Sequence, residues 1–324
     1  MTQAPALEVR DLHTHFFLRR GVVKAVDGVD FTLHQGEVLG IVGESGCGKS
    51  LTALSILRLI PSGAARTTKG EVLLNGEDLL KKSEGAMRDV RGRQISMILQ
   101  DPQTSLNPLF TIGNQLNEAI IRQPGTSSKS IKNLAIEVLR KVKLAAPEQR
   151  ISQYPHELSG GMKQRIVGAI SISCAPDILI ADEPTTALDV TIQLQYLKLL
   201  KDLQDSSGMG ILFITHDFGV VAKMCDRVAV MYAGRVVETG EVREIFDRPA
   251  HPYTQALIDA VPKLSGTTER LRTIEGQPPS LSDLPAGCRF AARCSLADDQ
   301  CRKEYPGITS LSGTHTASCW KADR

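Results

Sequence analysis

The sequence predicts an α/β fold: a mixed-sheet core with an antiparallel β subdomain, an inserted helical subdomain, and a loop-rich, cysteine-containing C-terminal extension. Three observations predict it. Apolar runs of four or five residues, Ile178–Ala181, Ile211–Thr215 and Val228–Tyr232, have the continuous hydrophobicity of strands covered on both faces of a parallel sheet. Between about residues 101 and 175 apolar residues recur at helical spacing, punctuated by Gly, Pro and Ser. From about Glu241 the texture changes again, with Pro249, Pro252, Pro262, Pro278, Pro279 and Pro285 breaking up any long element. The expected division is 1–245 for the core and 246–324 for the extension.

The elements follow in order. Glu37–Val42 reads as a buried strand, and Lys49–Ile60 as a helix that is apolar on most sides and stopped by Pro61. Val72-Leu-Leu ends in Asn75-Gly76, a hairpin turn signal. Ile95–Leu99 is a further apolar strand, ending at Gln100. No internal repeat or low-complexity tract occurs.

Bulk composition narrows the function. With 42% apolar and 23% charged residues, the 324-residue chain is ordinary for a globular protein and long enough for a sizeable core. The balance of 38 basic against 36 acidic residues and the 4% aromatic content argue against nucleic-acid binding. Met1–Arg10 has no apolar core segment and no run reaches 18 apolar residues. The expectation is a cytoplasmic chain that would reach a membrane only by docking onto other subunits.

Gly43-Glu44-Ser45-Gly46-Cys47-Gly48-Lys49-Ser50 fits the G-x-x-x-x-G-K-[ST] phosphate loop, with a strand before it and a helix after it. The glycines let the backbone curl so that its N–H groups converge on phosphate oxygens, and the helix points its positive end at the same place. Lys49 suits the β- and γ-phosphates, and the Ser50 hydroxyl suits Mg²⁺. A P-loop NTPase core of RecA-like, mixed-sheet type follows. Asp182 and Glu183 end the strand Ile178–Ala181, where a parallel strand faces its ligand crevice. Asp182 is suited to the Mg²⁺ shell and Glu183 to polarising a water as general base.

Leu158-Ser159-Gly160-Gly161-Met162, followed by Lys163-Gln164-Arg165, resembles the signature motif of ATP-binding-cassette (ABC) ATPases, and Ser159 stands 23 residues before Asp182. Three further pieces fit that family: Gln100 resembles the Q-loop glutamine, Thr185–Asp189 the D-loop, and His216 the switch histidine. The resemblance implies ATP and Mg²⁺ as ligands. It implies nucleotide contacts from Gly43 to Leu51, at Gln100, at Ser159, Gly160 and Gly161, at Asp189 and at His216. Mg²⁺ falls to Ser50, Gln100 and Asp182, and catalysis to Lys49, Glu183 and His216. It implies an aromatic stacked on adenine, here Phe16, with Phe17 or a plain packing role as alternatives. Cys47 in the loop is a candidate for attack by thiol reagents.

The resemblance covers about residues 7 to 324. Gln100-Asp-Pro-Gln-Thr-Ser-Leu-Asn-Pro108 and His251-Pro-Tyr-Thr-Gln-Ala-Leu257 narrow it to the oligopeptide, dipeptide and nickel uptake branch. It implies an ATP-hydrolysing importer subunit at the cytoplasmic face of a bacterial inner membrane. Its partners would be a second, paralogous ATPase subunit, two integral membrane permease subunits docking on Gln100–Asn117, and an extracytoplasmic substrate-binding protein. Peptides are the first reading of the cargo and nickel the second, with a non-transport ABC ATPase or a metal sensor as rival classes. Cys288, Cys294, Cys301 and Cys319 lie in the last 37 residues, at neither a zinc-ribbon nor a ferredoxin spacing. Four thiolates there could converge on one metal, and a staple would help a segment of low apolar content to fold. The resemblance suggests a [4Fe–4S] cluster, with Zn²⁺ or no metal as alternatives.

Overall fold

The computed structural model describes residues 4–60, 63–123, 126, 127, 130–186, 188–261 and 273–322. Pro61, Ala187 and Pro262, which the sequence reading used, lie outside these residues. The chain forms two compact units. One comprises residues 1–6, 34–37 and 81–213, the other residues 7–33, 38–80 and 214–324.

The second of these units holds the strands β1 (Leu7–Leu18), β2 (Gly21–Leu33), β3 (Val38–Val42), β4 (Ala65–Leu74) and β5 (Glu77–Asp78), with helix α1 (Lys49–Ile56) after β3. A four-stranded antiparallel sheet runs β2-β1-β4-β5. Asn75 and Gly76, at φ 49° and 85°, turn β4 into β5, a primed turn that matches the twist of the two strands. Helix α1 stops four residues earlier than the sequence suggested, with Leu57 as its cap.

In the other unit, helix α2 (Glu84–Val90) leads to strand β6 (Ile95–Ile98), helices α3 (Pro102–Ser105), α4 (Ile112–Ile120), α5 (Ile131–Lys141), α6 (Pro147–Arg150) and α7 (Gly160–Ile172), strand β7 (Ile178–Asp182) and helix α8 (Val190–Ser207). Strand β8 (Gly210–Thr215) passes into the next unit after Phe213. Here the strand order is β8-β7-β6, with β6 and β7 parallel. Every residue of β7 and β8 is buried, which explains their uninterrupted apolar runs. Helix α8 is set at both ends: Asp189 accepts from the Ile192 amide at 3.0 Å, and Gly208 closes it at φ 69°.

The remaining elements return to the β1 unit: α9 (Phe218–Met224), β9 (Arg227–Tyr232), β10 (Arg235–Glu241), α10 (Val242–Asp247), α11 (Pro252–Asp259), α12 (Asp299–Lys303), β11 (Thr309–Ser312) and β12 (His315–Ala317). Strand β3 pairs parallel with β9, and the order continues β9-β10-β12-β11, antiparallel. The extension is thus knitted to the strand it follows: Glu238 on β10 faces Ala317, and Thr239 faces Thr316. Pro252 starts a helix here, α11, which is only eight residues long. It occupies the first turn of α11, where its missing N–H costs nothing and its fixed φ helps. Buried Glu238 accepts from the amides of Ala250 (2.7 Å) and His251 (2.9 Å) and meets His315 Nε2 at 2.8 Å. Among the described residues, no helix is long and apolar enough to cross a membrane.

Candidate functional site

The phosphate loop sits between β3 and α1. Gly43 and Gly48 have no room for a side chain. A Cβ on Gly43 would lie 2.1 Å from the Met231 carbonyl oxygen, and one on Gly48 would lie 2.3 Å from that of Ala25. Both glycines have positive φ, 156° and 110°. Ser45 and Gly46 are exposed, and Lys49 is buried. The Lys49 ammonium donates to the loop's own carbonyls, Gly43 O at 2.8 Å and Glu44 O at 3.1 Å. It therefore sits inside the curl, where a phosphate would meet it. Cys47 is 5% exposed, and burial pushes its thiol up from the ordinary value. Both features work against a reagent-accessible thiol, because the thiolate is the reactive form.

Three neighbours hold this loop. The Gly234 amide, in the β9–β10 turn, donates to Cys47 O at 2.8 Å. The Tyr253 hydroxyl on α11 accepts from the Glu44 amide at 2.9 Å. Arg293 grips the Glu44 carboxylate with both terminal nitrogens, at 2.7 and 2.9 Å. The Glu44 amide is thereby engaged by protein, so Glu44 serves as an anchor of the loop. Sequence reasoning missed Arg293 and gave Tyr253 no role. The signal available was a tyrosine within His251–Leu257 and an arginine beside Cys294, neither of which points across the chain to residue 44.

Phe16 and Phe17 differ in setting. By strand alternation Phe16 shares the face of Thr14, whose hydroxyl meets Ser55 of α1 at 2.8 Å. Phe17 is 39% exposed, with the Arg66 guanidinium 4.1 Å over its ring. His216 is exposed at the end of β8, and the next residue, Asp217, caps α9 through the amides of Gly219 and Val220.

In the other unit, Gln100 follows β6, Asp182 ends β7 and Glu183 follows it. The Gln100 amide donates to Glu183 Oε2 at 3.1 Å, and the Thr186 hydroxyl donates to the same oxygen at 3.0 Å. Two donors on one oxygen fix the carboxylate's orientation. Glu183 has φ 44°, left-handed for a side chain that gains nothing there, and it is buried, as is Asp182. Strain of this kind is retained where the surroundings enforce it, often at reacting groups. Ser159 takes the cap position of α7, but its hydroxyl makes no cap bond, and Gly160 has open space about its Cα. A Cβ on Gly161 would come within 2.9 Å of Ile192 Cγ2 on α8, so α7 starts hard against α8. Asp189, in the D-loop segment, is committed to capping α8.

The four extension cysteines line one pocket with His251, Phe290 and Trp320. The Cys288 amide donates to Cys301 O at 2.7 Å. Burial pushes Cys288 up to about 11 and raises Cys294 and Cys319 as well, with the neighbouring thiols adding to the rise. A metal bound there would have to displace these protons. Among the described residues, His13, His15 and Asp27 bring three ligand atoms within 4.8 Å of one another. Sulfurs on one tetrahedral zinc would be about 3.8 Å apart at a Zn–S length near 2.3 Å. The donor set is four thiols in one pocket.

A last feature is a surface groove of about 580 Å³ beside α4 and α5, lined by Phe110, Gln115, Glu118, Ile121 and Ile131. Next to it Leu109 is 80%, Phe110 50% and Ile121 62% exposed. An apolar rim of this kind marks a docking surface more often than a bare one.

Two family models match the chain: the ABC transporter model over residues 26–186, and the C-terminal region of oligopeptide/dipeptide transporters over residues 237–301. A Sinorhizobium fredii protein named "Probable peptide ABC transporter ATP-binding protein" is 52% identical, over 98% of this chain and 95% of its own. The "Dipeptide transport ATP-binding protein" of Bacillus subtilis is 49% identical, over the same shares of the two chains. Among solved structures, a dimeric ATP-binding cassette in a post-hydrolysis state, bound to ADP and Pi, matches with a TM-score of 0.65. It is 26% identical and covers 73% of this chain and 99% of its own.

Proposed function

We propose how this chain works from the premise that it belongs to the ABC transporter family, in the branch of oligopeptide and dipeptide transport ATP-binding subunits. It is an ATP-binding and ATP-hydrolysing subunit. Its cargo is di- or oligopeptide, brought inward across the cytoplasmic membrane. The observation that carries this is the match to a dipeptide transport subunit over 98% of the chain, extension included.

ATP is held between two cassettes arranged head to tail. The loop Gly43–Leu51 of one faces Ser159, Gly160 and Gly161 of the other, whose helix tip offers amides to the γ-phosphate. Phe16 stacks on adenine; its place on the Thr14 face, toward α1, supports it over Phe17. Lys49 brings its charge to the β- and γ-phosphates. Ser50, Asp182 and Gln100 would hold Mg²⁺ through oxygen ligands, where it would supply positive charge beside the phosphates. Glu183, oriented by Gln100 and Thr186, accepts a proton from the attacking water, and ADP leaves. His216 steadies the γ-phosphate. Glu183→Gln keeps ATP binding and cuts turnover by at least 100-fold on the usual scale for a lost general base. Equal turnover would refute the assignment.

The same reading places the chain at the cytoplasmic face of the membrane, paired with a paralogous ATPase subunit. Two integral permease subunits dock along Gln100–Asn117, where the apolar rim at Leu109 and Phe110 supports contact, and a substrate-binding protein delivers the peptide outside. The core closes near residue 245 and residues 246–324 form an appended extension. Within it, Cys288, Cys294, Cys301 and Cys319 hold a [4Fe–4S] cluster, supported by four thiols that line one pocket, three of them half-buried and Cys301 buried. The cluster would staple the proline-rich segment. Anaerobic purification with iron analysis and visible absorption tests it; colourless protein with stoichiometric zinc would overturn it.

A further inference from the structure

We propose that the cysteine-bearing extension is part of the nucleotide site's machinery: Arg293 neutralises a carboxylate that the phosphate loop carries in its own curl, and so sets the affinity for ATP. Glu44 is the second residue of that loop. A carboxylate there repels the polyphosphate that the loop is shaped to hold. The repulsion is offset from the far end of the chain. Arg293, 4% exposed, lays its planar guanidinium on both oxygens of Glu44 at 2.7 and 2.9 Å. A forked pair of this kind is stronger than a neutral hydrogen bond and fixes direction as well as charge.

Arg293 is itself held in place. Its Nε donates to Glu275 O at 3.0 Å and its Nη1 to the Tyr232 hydroxyl at 3.3 Å. Tyr253 adds a second tie by accepting from the Glu44 amide. Arg289 bonds Ala233 O, one residue before the Gly234 amide that donates to Cys47 O. Arg289 follows Cys288 and Arg293 precedes Cys294. Arg293, which braces the loop, and Arg289, which braces the β9–β10 turn beside it, are therefore adjacent in sequence to the first two thiols. Arg293 is a positioning residue, acting on ATP through Glu44.

The inference rests on residues 43–50 being the phosphate loop, and the test separates the two. The probe is trinitrophenyl-ATP binding to the full-length chain, with ATP turnover measured alongside. A unit charge left about 10 Å from the phosphates, at an effective dielectric near 20, corresponds to about tenfold in affinity. Arg293→Ala should raise Kd and KM about tenfold, with a smaller change in kcat. Adding Glu44→Gln to it removes the exposed carboxylate and should restore most of that tenfold loss. A residue that merely held the fold would give no such recovery. If Arg293→Ala does not fold, judged by its melting curve, the isosteric and neutral Arg293→Gln carries the same test. An Arg293 variant binding within twofold of the parent, while Lys49→Ala has lost binding, overturns the inference and leaves the phosphate loop standing. A double variant no tighter than the single one overturns it as well. Unchanged binding by Lys49→Ala refutes the loop assignment itself.

Discussion

Replacing Asp27 with Asn should cost stability at neutral pH and cost nothing in strong acid. Asp27 lies on β2, 8% exposed, at the centre of a charged cluster. Its Oδ1 meets His13 Nδ1 and His15 Nε2, each at 3.1 Å. Its Oδ2 accepts from Arg289 of the extension. Burial by itself would raise the carboxyl's pKa, but the Arg289 hydrogen bond and charge, aided by the two histidines, bring it from 3.8 down to about 2. A lowered carboxylate contributes stability that is fully present above its unfolded value and is lost as pH falls toward its folded one. The window is therefore about pH 4 to 2, and the full difference is about 2.5 kcal/mol at 1.36 kcal/mol per pH unit. Burial draws Arg289 below its usual value, but only at the alkaline end, so it does not enter this window. For a chain of this size the change should lower Tm by roughly 4 °C at pH 6. Thermal melts of parent and Asp27→Asn from pH 6 to pH 2 should converge as the acid end is approached. A constant offset at every pH, or none at pH 6, would refute the electrostatic account.

Two further outcomes follow from geometry alone. Gly48→Ala should abolish nucleotide binding or folding, because its Cβ would lie 2.3 Å from the Ala25 carbonyl at a φ of 110°; binding of a fluorescent nucleotide within twofold of the parent would contradict it. Phe110→Asp, on an exposed rim outside the nucleotide machinery, should leave the melting temperature within about 2 °C of the parent, as surface changes usually do, yet prevent co-purification with membrane subunits; normal co-purification would remove the groove from the docking surface.

The parts of this molecule that sequence disclosed are those whose chemistry is local. The spacing of Gly43, Gly48 and Lys49 encodes a curl that needs only its own backbone, and Asn75-Gly76 encodes a turn in two residues. The strands β7 and β8 declare themselves because both faces are buried. The extension was opaque for the opposite reason. β11 and β12 are three or four residues long and rich in Ser and Thr, and they become strands because β10 offers them an edge. β1 and β2 carry His13, His15 and Asp27 among their apolar residues, so no clean period shows. The pairing of Arg293 with Glu44 spans 249 residues, and nothing in either neighbourhood encodes it.

The central claim is that ATP is enclosed between two cassettes, and sedimentation of the ATPase subunits tests it most directly. The chain carrying Glu183→Gln, mixed with its partner ATPase subunit, should sediment as a pair in Mg-ATP and as single subunits in Mg-ADP. Identical sedimentation in the two nucleotides, with ATP demonstrably bound, would contradict the account.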